Sequence, residues 1–387
     1  MEAKKLKIGF LSEFSPNDRK ASSGTNYKMA EQLKQMGEIK WIPIKRNTRG
    51  RIIENVLKGI SLLFKKKFEI STTLWGSRIA FSQIDSKEFE DVDVVAAFFC
   101  SPVLARIECD KPVVYFTDAT YPAMINYYWF NRWSCHNRQG IDIERLAMEK
   151  ATKVIVSSQW CLDSAMNDLN ISSDKIHIVE LGANIDDEDV VFSPNEEKSI
   201  VPVINILFLG VDWERKGGEI AIDAVRWLNE NEIPAHIYIV GIRDLPKEIE
   251  QEPFVTNLGF LNKNNKHEYD LLCKTISKCN LELLPTKAEA AGIAFAEAAA
   301  HGLPVFTHDT GGIGNYVING VNGYRLPLGS TGKNFGERIK EVCESNQLAG
   351  LSLSSRRLYE STLNWGIWGI KVRNIILSIV TYNNHDL

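Results

Sequence analysis

Two carboxylates, Glu289 and Glu297, with seven residues between them, stand in the stretch Leu283 to Gly323, LLPTKAEAAGIAFAEAAAHGLPVFTHDTGGIGNYVINGVNG. An apolar run of strand character ends at Pro285, and a short loop covers Thr286 to Gly292. Helix-type residues then run from about Ile293 to His301, where Gly302 stops them. Gly292 has no Cβ, so a ligand can approach the backbone amides at the helix entrance. A helix N-terminus is a ready site for a diphosphate. In that setting Glu289 lies near the reactive end of a bound molecule. Glu297, two turns on, lies deeper, where a carboxylate can accept hydrogen bonds from both hydroxyls of a ribose. The same residues also read as a solvated loop Glu and a surface-helix Glu, and pattern alone does not choose. Gly311-Gly312 mark a second tight loop, either near the ligand or a plain left-handed turn. A Glu pair would also suit the acid and base of a glycosidase. The glycine-rich phosphate loops argue against that, since a hydrolase has no diphosphate to cradle.

The elements that must position these residues are strands alternating with helices. Continuous apolar runs occur at Leu6–Leu11, Val92–Phe99, Val113–Phe116, Val154–Val156, Ile176–Val179, Ile204–Leu209, Ile237–Val240, Leu281–Leu284 and Val305–Thr307. Continuous rather than alternating apolarity fits strands buried on both faces, hence parallel sheets. Thr25–Met36 and Gly218–Leu228 carry apolar residues at helical spacing, so the fold class is α/β. Each half opens with a strand that runs into a Gly-containing turn. Leu6–Leu11 leads to Ser22-Ser23-Gly24-Thr25, and Ile204–Leu209 leads to Gly210 and Lys216-Gly217-Gly218. Asp186–Val203, rich in Asp, Glu, Asn, Ser and Pro, is the linker candidate. Two Rossmann-like halves follow, with ligands expected beyond the carboxyl ends of their strands, in a cleft where the halves face each other.

Composition excludes several classes. The 387 residues suggest two domains, and a net charge of −4 gives no reason to expect nucleic acid as a partner. Seven cysteines with no CxxC and no Cys/His cluster argue against a zinc site and a disulfide framework, which points to a reducing cytosol. Leu6–Leu11 is too short for a signal segment, and no stretch reaches membrane-span length.

The Leu283–Gly323 segment resembles the signature of family-4 retaining glycosyltransferases of the GT-B fold, which carry a Glu, seven residues and a second Glu. Gly292-Ile293-Ala294, the following Ala-Ala-His-Gly-Leu-Pro-Val, Thr310-Gly311-Gly312 and Gly320-Val321-Asn322-Gly323 match in order. The likeness extends to FLGVDWERKGG at Phe208–Gly218, to Leu258-Gly259-Phe260, and to Asn364-Trp365 with the final helix. It is strong over residues 204–326 and weaker over the N-terminal half. The resemblance implies a domain of residues 1–195 on the acceptor side, joined by a returning helix at about 370–387, and a nucleotide-sugar-binding domain of residues 196–369. It implies that Glu297 holds the ribose and that Glu289 contacts the donor sugar. The amides of Gly292, Ile293 and Ala294 would hold the diphosphate or sugar, and Phe260 and Leu261 would border the base. Gly24 and Thr25 would close over the phosphates. Lys216 would neutralise the departing diphosphate, where negative charge grows. A lysine at a helix start is otherwise unfavourable, and a bound anion would explain it.

Two departures stand out. The family commonly has Gly-Arg where this chain has Gly210-Val211-Asp212; Arg215 is the candidate replacement. A His often follows the strand that Val113–Phe116 resembles, whereas here Thr117-Asp118 stands there. Asp118 orients a donor or acceptor hydroxyl, or else is a turn residue. The rival metal motif, Asp91-Val92-Asp93, opens a strand at the end away from ligand.

Tyr121, Tyr127, Tyr128, Trp129, Phe130 and Trp133 form an aromatic cluster that either stacks on sugars or packs the core. Lys45, Arg46, Arg49, Arg51, Lys58, Lys65, Lys66 and Lys67 crowd one stretch against only Glu54. Within it Ile53, Val56, Leu57, Ile60, Leu63 and Phe64 follow helical spacing. Such a helix either rests on anionic lipid or faces the core with a solvated basic side.

The expected activity is retaining, metal-independent transfer of a hexosyl group from a UDP- or GDP-linked sugar, with no cofactor, to a glycan, lipid-linked or protein hydroxyl. The expected location is the cytoplasm, with peripheral membrane contact through residues 45–67. A nucleotide-sugar epimerase of similar fold and a non-catalytic sugar-nucleotide-binding subunit are the alternatives.

Overall fold

The computed structural model describes residues 5–19, 24–44, 48–82, 84–192 and 203–382. Ser22, Ser23, Lys45, Arg46 and residues 193–202 of the linker candidate lie outside them, as do the side chains of Arg49, Arg51, Ile53 and Glu54. The chain divides into two units, Met1–Val179 with Trp368–Leu387, and Glu180–Ile367.

The first unit holds a parallel sheet of β1 (Leu6–Ser12), β2 (Gly37–Pro43), β3 (Val94–Phe98), β4 (Val113–Thr117), β5 (Lys153–Val156) and β6 (Ile176–Ile178). Its order is β2-β1-β3-β4-β5-β6. Every residue of β3 and β4 is buried, as expected of strands covered on both faces. Phe98 and Phe116, paired in register, stack with ring centres 4.5 Å apart. The last helix, Trp365–Tyr382, adds Trp368 to this core, fully buried and 5.6 Å from the Phe116 ring.

The second unit repeats the plan with β7 (Ile204–Leu209), β8 (Ala235–Val240), β9 (Val255–Asn257), β10 (Leu281–Leu284), β11 (Val305–Asp309) and β12 (Gly323–Pro327). Its order is β12-β11-β10-β7-β8-β9. The Gly218–Glu230 helix joins β7 to β8 and buries Ala221, Ile222, Ala224, Val225 and Leu228. In such sheets the winding reverses once, and the loops on either side of that point part to leave a crevice at the carboxyl ends of the strands. Here the reversal falls between β7 and β10 in the second unit, and between β1 and β3 in the first.

Three strands lie outside the apolar runs of the sequence: β2, β9 and β12. The division between units falls at Val179/Glu180 rather than at residue 195, and the return begins at Trp368 rather than near 370. Local hydrogen bonds give the reason. The amide of Leu181 donates to Tyr316 Oη at 2.9 Å, that of Ala183 to Leu363 O at 3.1 Å, and that of Asp186 to Tyr269 Oη at 2.8 Å. Residues expected to close the first domain are therefore tied into the second.

Candidate active site

The loops leaving β7 and β10 are pressed together at the point where the second sheet reverses. Gly217 adopts φ +75°, and a Cβ there would lie 2.1 Å from the Pro285 carbonyl oxygen. Only glycine meets both conditions without strain. Arg215 O accepts from the Lys287 amide at 2.7 Å and from Thr286 Oγ1 at 3.3 Å, which stitches the two loops side by side. This brings Lys216 and Glu289 into contact, with Lys216 Nζ donating to Glu289 Oε2. Arg215 Nη1 stands 3.7 Å from the same oxygen and donates to Ala288 O at 2.9 Å. Both cations of the DWERKGG segment thus converge on one carboxylate. The anion that offsets Lys216 at the start of the Gly218–Glu230 helix is, in this structure, Glu289.

The helix that follows runs Ile293–Ala300, with Gly292 at its cap. A Cβ on Gly292 would lie 2.5 Å from Cγ of Tyr316, so the cap is glycine for close packing. Ile293 and Ala294 are half-buried, and the first amides of a helix have no acceptor within it. Gly311–Asn315 forms a short 3-10 turn, and the Gly312 amide donates to Glu289 O at 3.0 Å, which fixes the glycine loop against the Glu289 backbone. Glu297 is 3% exposed, which rules out the surface-helix reading. Its Oε1 accepts from Lys263 Nζ, and the same nitrogen donates to Asn184 O at 3.2 Å. Lys263 did not emerge from the sequence, although it lies just beyond Phe260 and Leu261. Phe260 is exposed and carries the Arg243 guanidinium 5.0 Å above its ring, while Leu261 is half-buried. Val211, Trp213, Gly241, Ile242, Arg243, Asp244 and Phe260 line a cavity of about 520 Å³.

A third carboxyl lies in the β10 strand itself. Glu282 is fully buried, and neither of its oxygens has a hydrogen-bond partner among the described residues. Burial pushes its pKa up to about 8, with the Lys216 charge pulling it down and Glu297 and Glu289 pushing it further up. Glu282 is therefore mostly protonated at neutral pH. The sequence gives no signal for this beyond a charged residue inside an apolar run.

Gly24, Thr25 and Asp118 belong to the first unit. Gly24 adopts φ 95° and caps the Thr25–Met36 helix, whose first residues Thr25 and Asn26 are buried. Asn26 Nδ2 donates to Ser12 Oγ, at the end of β1, at 3.3 Å. Asp118 follows β4 and is half-buried. Its charge helps raise the pKa of Glu144, a buried residue that accepts from Tyr115 Oη at 3.0 Å. Burial is the main cause, the bonds from Ser101 and Tyr115 pull the other way, and the value reaches about 7. Of the aromatic cluster, Tyr121 is buried with Trp129 4.6 Å away, and Arg132 lies 4.2 Å over the Trp129 ring. These two side chains pack. Asp91 and Asp93 are taken up by Lys7: its Nζ lies 2.8 Å from Asp91 Oδ1, and its amide donates to Asp93 Oδ2 at 2.8 Å.

Comparison with known proteins fits this geometry. Residues 193–357 match the family model described as Glycosyl transferases group 1. The matched residues fall within the second unit. An uncharacterized glycosyltransferase of Methanocaldococcus jannaschii is 25% identical over 169 residues, which is 44% of this chain and 46% of the relative. The chain spans about half the length of the curated relatives it matches. Among solved structures, Anabaena HepE in complex with UDP and glucose matches with a TM-score of 0.62 at 17% identity, over 96% of this chain and 100% of the other. Sucrose-phosphate synthase from Thermosynechococcus elongatus matches at 0.66 and 15%, over 97% and 100%. At these identities the likeness is one of fold, and both units take part in it. The second unit carries Arg215, Lys216, Glu289, Gly292, Ile293, Ala294 and Glu297, all of them singled out by the sequence, and joins Arg215 and Lys216 to Glu289.

Proposed function

We propose that the chain transfers a hexosyl group from a UDP- or GDP-linked sugar to an acceptor hydroxyl, with retention at the anomeric carbon and without a metal. One observation carries this reading: Lys216 and Arg215 converge on Glu289 at the β7/β10 reversal, in the loop that leads into the Ile293–Ala300 helix. A cation pair next to free helix amides favours a diphosphate. The diphosphate competes with Glu289 for Lys216 and frees that carboxylate to face the sugar. The bond between the anomeric carbon and the diphosphate oxygen then breaks, and the acceptor oxygen bonds to that carbon from the same face. The acceptor proton goes to the departing phosphate oxygen, and Lys216 stabilises the charge that remains.

Glu297 accepts hydrogen bonds from the ribose, Phe260 and Leu261 border the base, and Gly24 and Thr25 act on the phosphates. Asp118 orients a hydroxyl of the sugar or acceptor. The acceptor is a glycan, a lipid-linked sugar or a protein. The solved Anabaena relative holds UDP and glucose, which supports a donor of this class here. Work in a reducing cytoplasm belongs to this reading, on the ground that the seven cysteines form no CxxC and no Cys/His cluster in the sequence.

The test is a panel of UDP- and GDP-sugars offered with glycan and lipid-linked acceptors, with chelator present. The reading expects nucleotide release that needs both substrates, and a product of the same anomeric configuration as the donor. Donor conversion without acceptor would make the chain an epimerase. Nucleotide binding without turnover would make it a binding subunit.

A further inference from the structure

The Thr48–Leu63 helix of the first unit carries its large apolar residues outward. Ile52, Val56, Ile60 and Leu63 stand at i, i+4, i+8 and i+11, so they share one face, and they are 64%, 58%, 48% and 83% exposed. Phe64 continues this face at 60%. The opposite side is the one held to the protein: Ser61 is buried and its Oγ accepts from Trp133 Nε1 at 3.4 Å. The Lys67 amide donates to Asn131 O at 2.8 Å, and this places exposed Phe130 beside the end of the helix. An apolar stripe of this size standing in water is the opposite of a core-facing helix and marks a surface that something covers.

We propose that this face is a docking surface for a membrane leaflet bearing anionic headgroups. The flanking charge selects that occupant. Lys65, Lys66 and Lys67 follow Leu63 and Phe64 at the end of the stripe, in a chain whose overall charge is −4. Lysine ammonium groups beside an apolar stripe hold to headgroup phosphates while the stripe enters the acyl boundary. A second copy of the chain suits the face poorly, because a two-fold contact would set the same lysines against each other. Among the described residues no helix is long and apolar enough to cross a membrane, so the contact is one of lying on the surface. Such docking holds the first unit at a leaflet from which a lipid-linked acceptor can be drawn. The docking itself does not depend on the glycosyl-transfer reading.

The test is sedimentation of the full chain with vesicles of phosphatidylcholine alone or with phosphatidylglycerol added. Two variants are compared, Ile60→Glu with Leu63→Glu, and Lys65→Gln with Lys66→Gln and Lys67→Gln. Thermal melting and nucleotide binding serve as controls for folding. The expected result is binding to the anionic vesicles that weakens with added salt and falls at least tenfold in each variant, with both controls unchanged. Absence of binding to anionic vesicles, equal binding to neutral ones, or binding indifferent to both variants would overturn the proposal. So would a dimer in light scattering that Ile60→Glu with Leu63→Glu dissociates, since the face would then be covered by a second copy.

Discussion

Both sheets set a left-handed glycine in front of the helix that follows their first strand. Gly24 at φ 95° precedes the Thr25–Met36 helix after β1, and Gly217 at φ 75° precedes the Gly218–Glu230 helix after β7. Both reverse their winding beside that strand, so topology offers a crevice in each. The side chains placed there differ. In the second unit two carboxylates are each held by a lysine, Glu289 by Lys216 and Glu297 by Lys263. In the first unit the charge of Asp118 helps raise the pKa of Glu144, a buried carboxyl bonded to a tyrosine. Lysines that can exchange a carboxylate for a phosphate suit an anionic donor. An aspartate near a carboxyl that keeps its proton up to about pH 7 suits contact with hydroxyls. The shared backbone thus sets the same crevice in each unit, and a few side chains make the two crevices chemically different.

The sharpest break in this comparison comes from Lys216→Ala. Removing the cation that meets growing charge on a leaving group costs roughly a hundred- to a thousand-fold in rate. Steady-state transfer assays should show that loss in kcat, with the melting temperature little changed. Glu297→Ala removes the buried carboxylate proposed to accept from the ribose and should weaken donor binding by about 1–3 kcal/mol, read by calorimetry. An unaltered dissociation constant would remove Glu297 from the ribose. On the other side of the comparison, Asp118→Asn should lower kcat/KM about tenfold, within the range of a lost hydrogen bond to a charged group. Nucleotide affinity should stay as it was. A matching fall in nucleotide affinity would blur the division between the two units.

The smallest effects concern the two buried acids. Each binds its proton more tightly folded than unfolded, so each makes the fold lose stability as pH rises from the unfolded value to the folded one. For Glu282 that window runs from 4.5 to about 8, and for Glu144 from 4.5 to about 7. Glu282→Gln should therefore flatten the decline of melting temperature across the whole of its window. Glu144→Gln should flatten it only up to about pH 7. Melting curves across this range in which neither variant differs in slope from the parent chain would contradict the burial argument.

How much of this was legible in the sequence depends on burial. The nine strands read from apolar runs include every inner strand of both sheets. The three missed, β2, β9 and β12, all lie at sheet edges, where only part of each strand is covered and polar residues such as Lys40, Thr256 and Arg325 interrupt the run. Glu289 and Glu297 stood out because glycine and helix patterns surround them, and the resemblance of that segment to a known signature gave them roles that the pattern alone left open. Lys263 did not stand out, because its role depends on β9 carrying it to Glu297, and no local pattern encodes that. Glu282 shows the same limit in reverse: a strand pattern tolerates one carboxyl without saying whether it finds a partner. The Thr48–Leu63 helix was legible as amphipathic, but its direction was not, since periodicity shows that a face exists and not which way it points.

The central claim is that the second unit holds a nucleoside diphosphate on Lys216. It is tested most directly by calorimetric titration of the intact chain and of Lys216→Ala with UDP and with GDP, with and without magnesium. The account expects one of the two nucleotides to bind, indifferent to magnesium, with affinity at least tenfold weaker in the variant. Binding of neither nucleotide, or equal binding by both proteins, would contradict it.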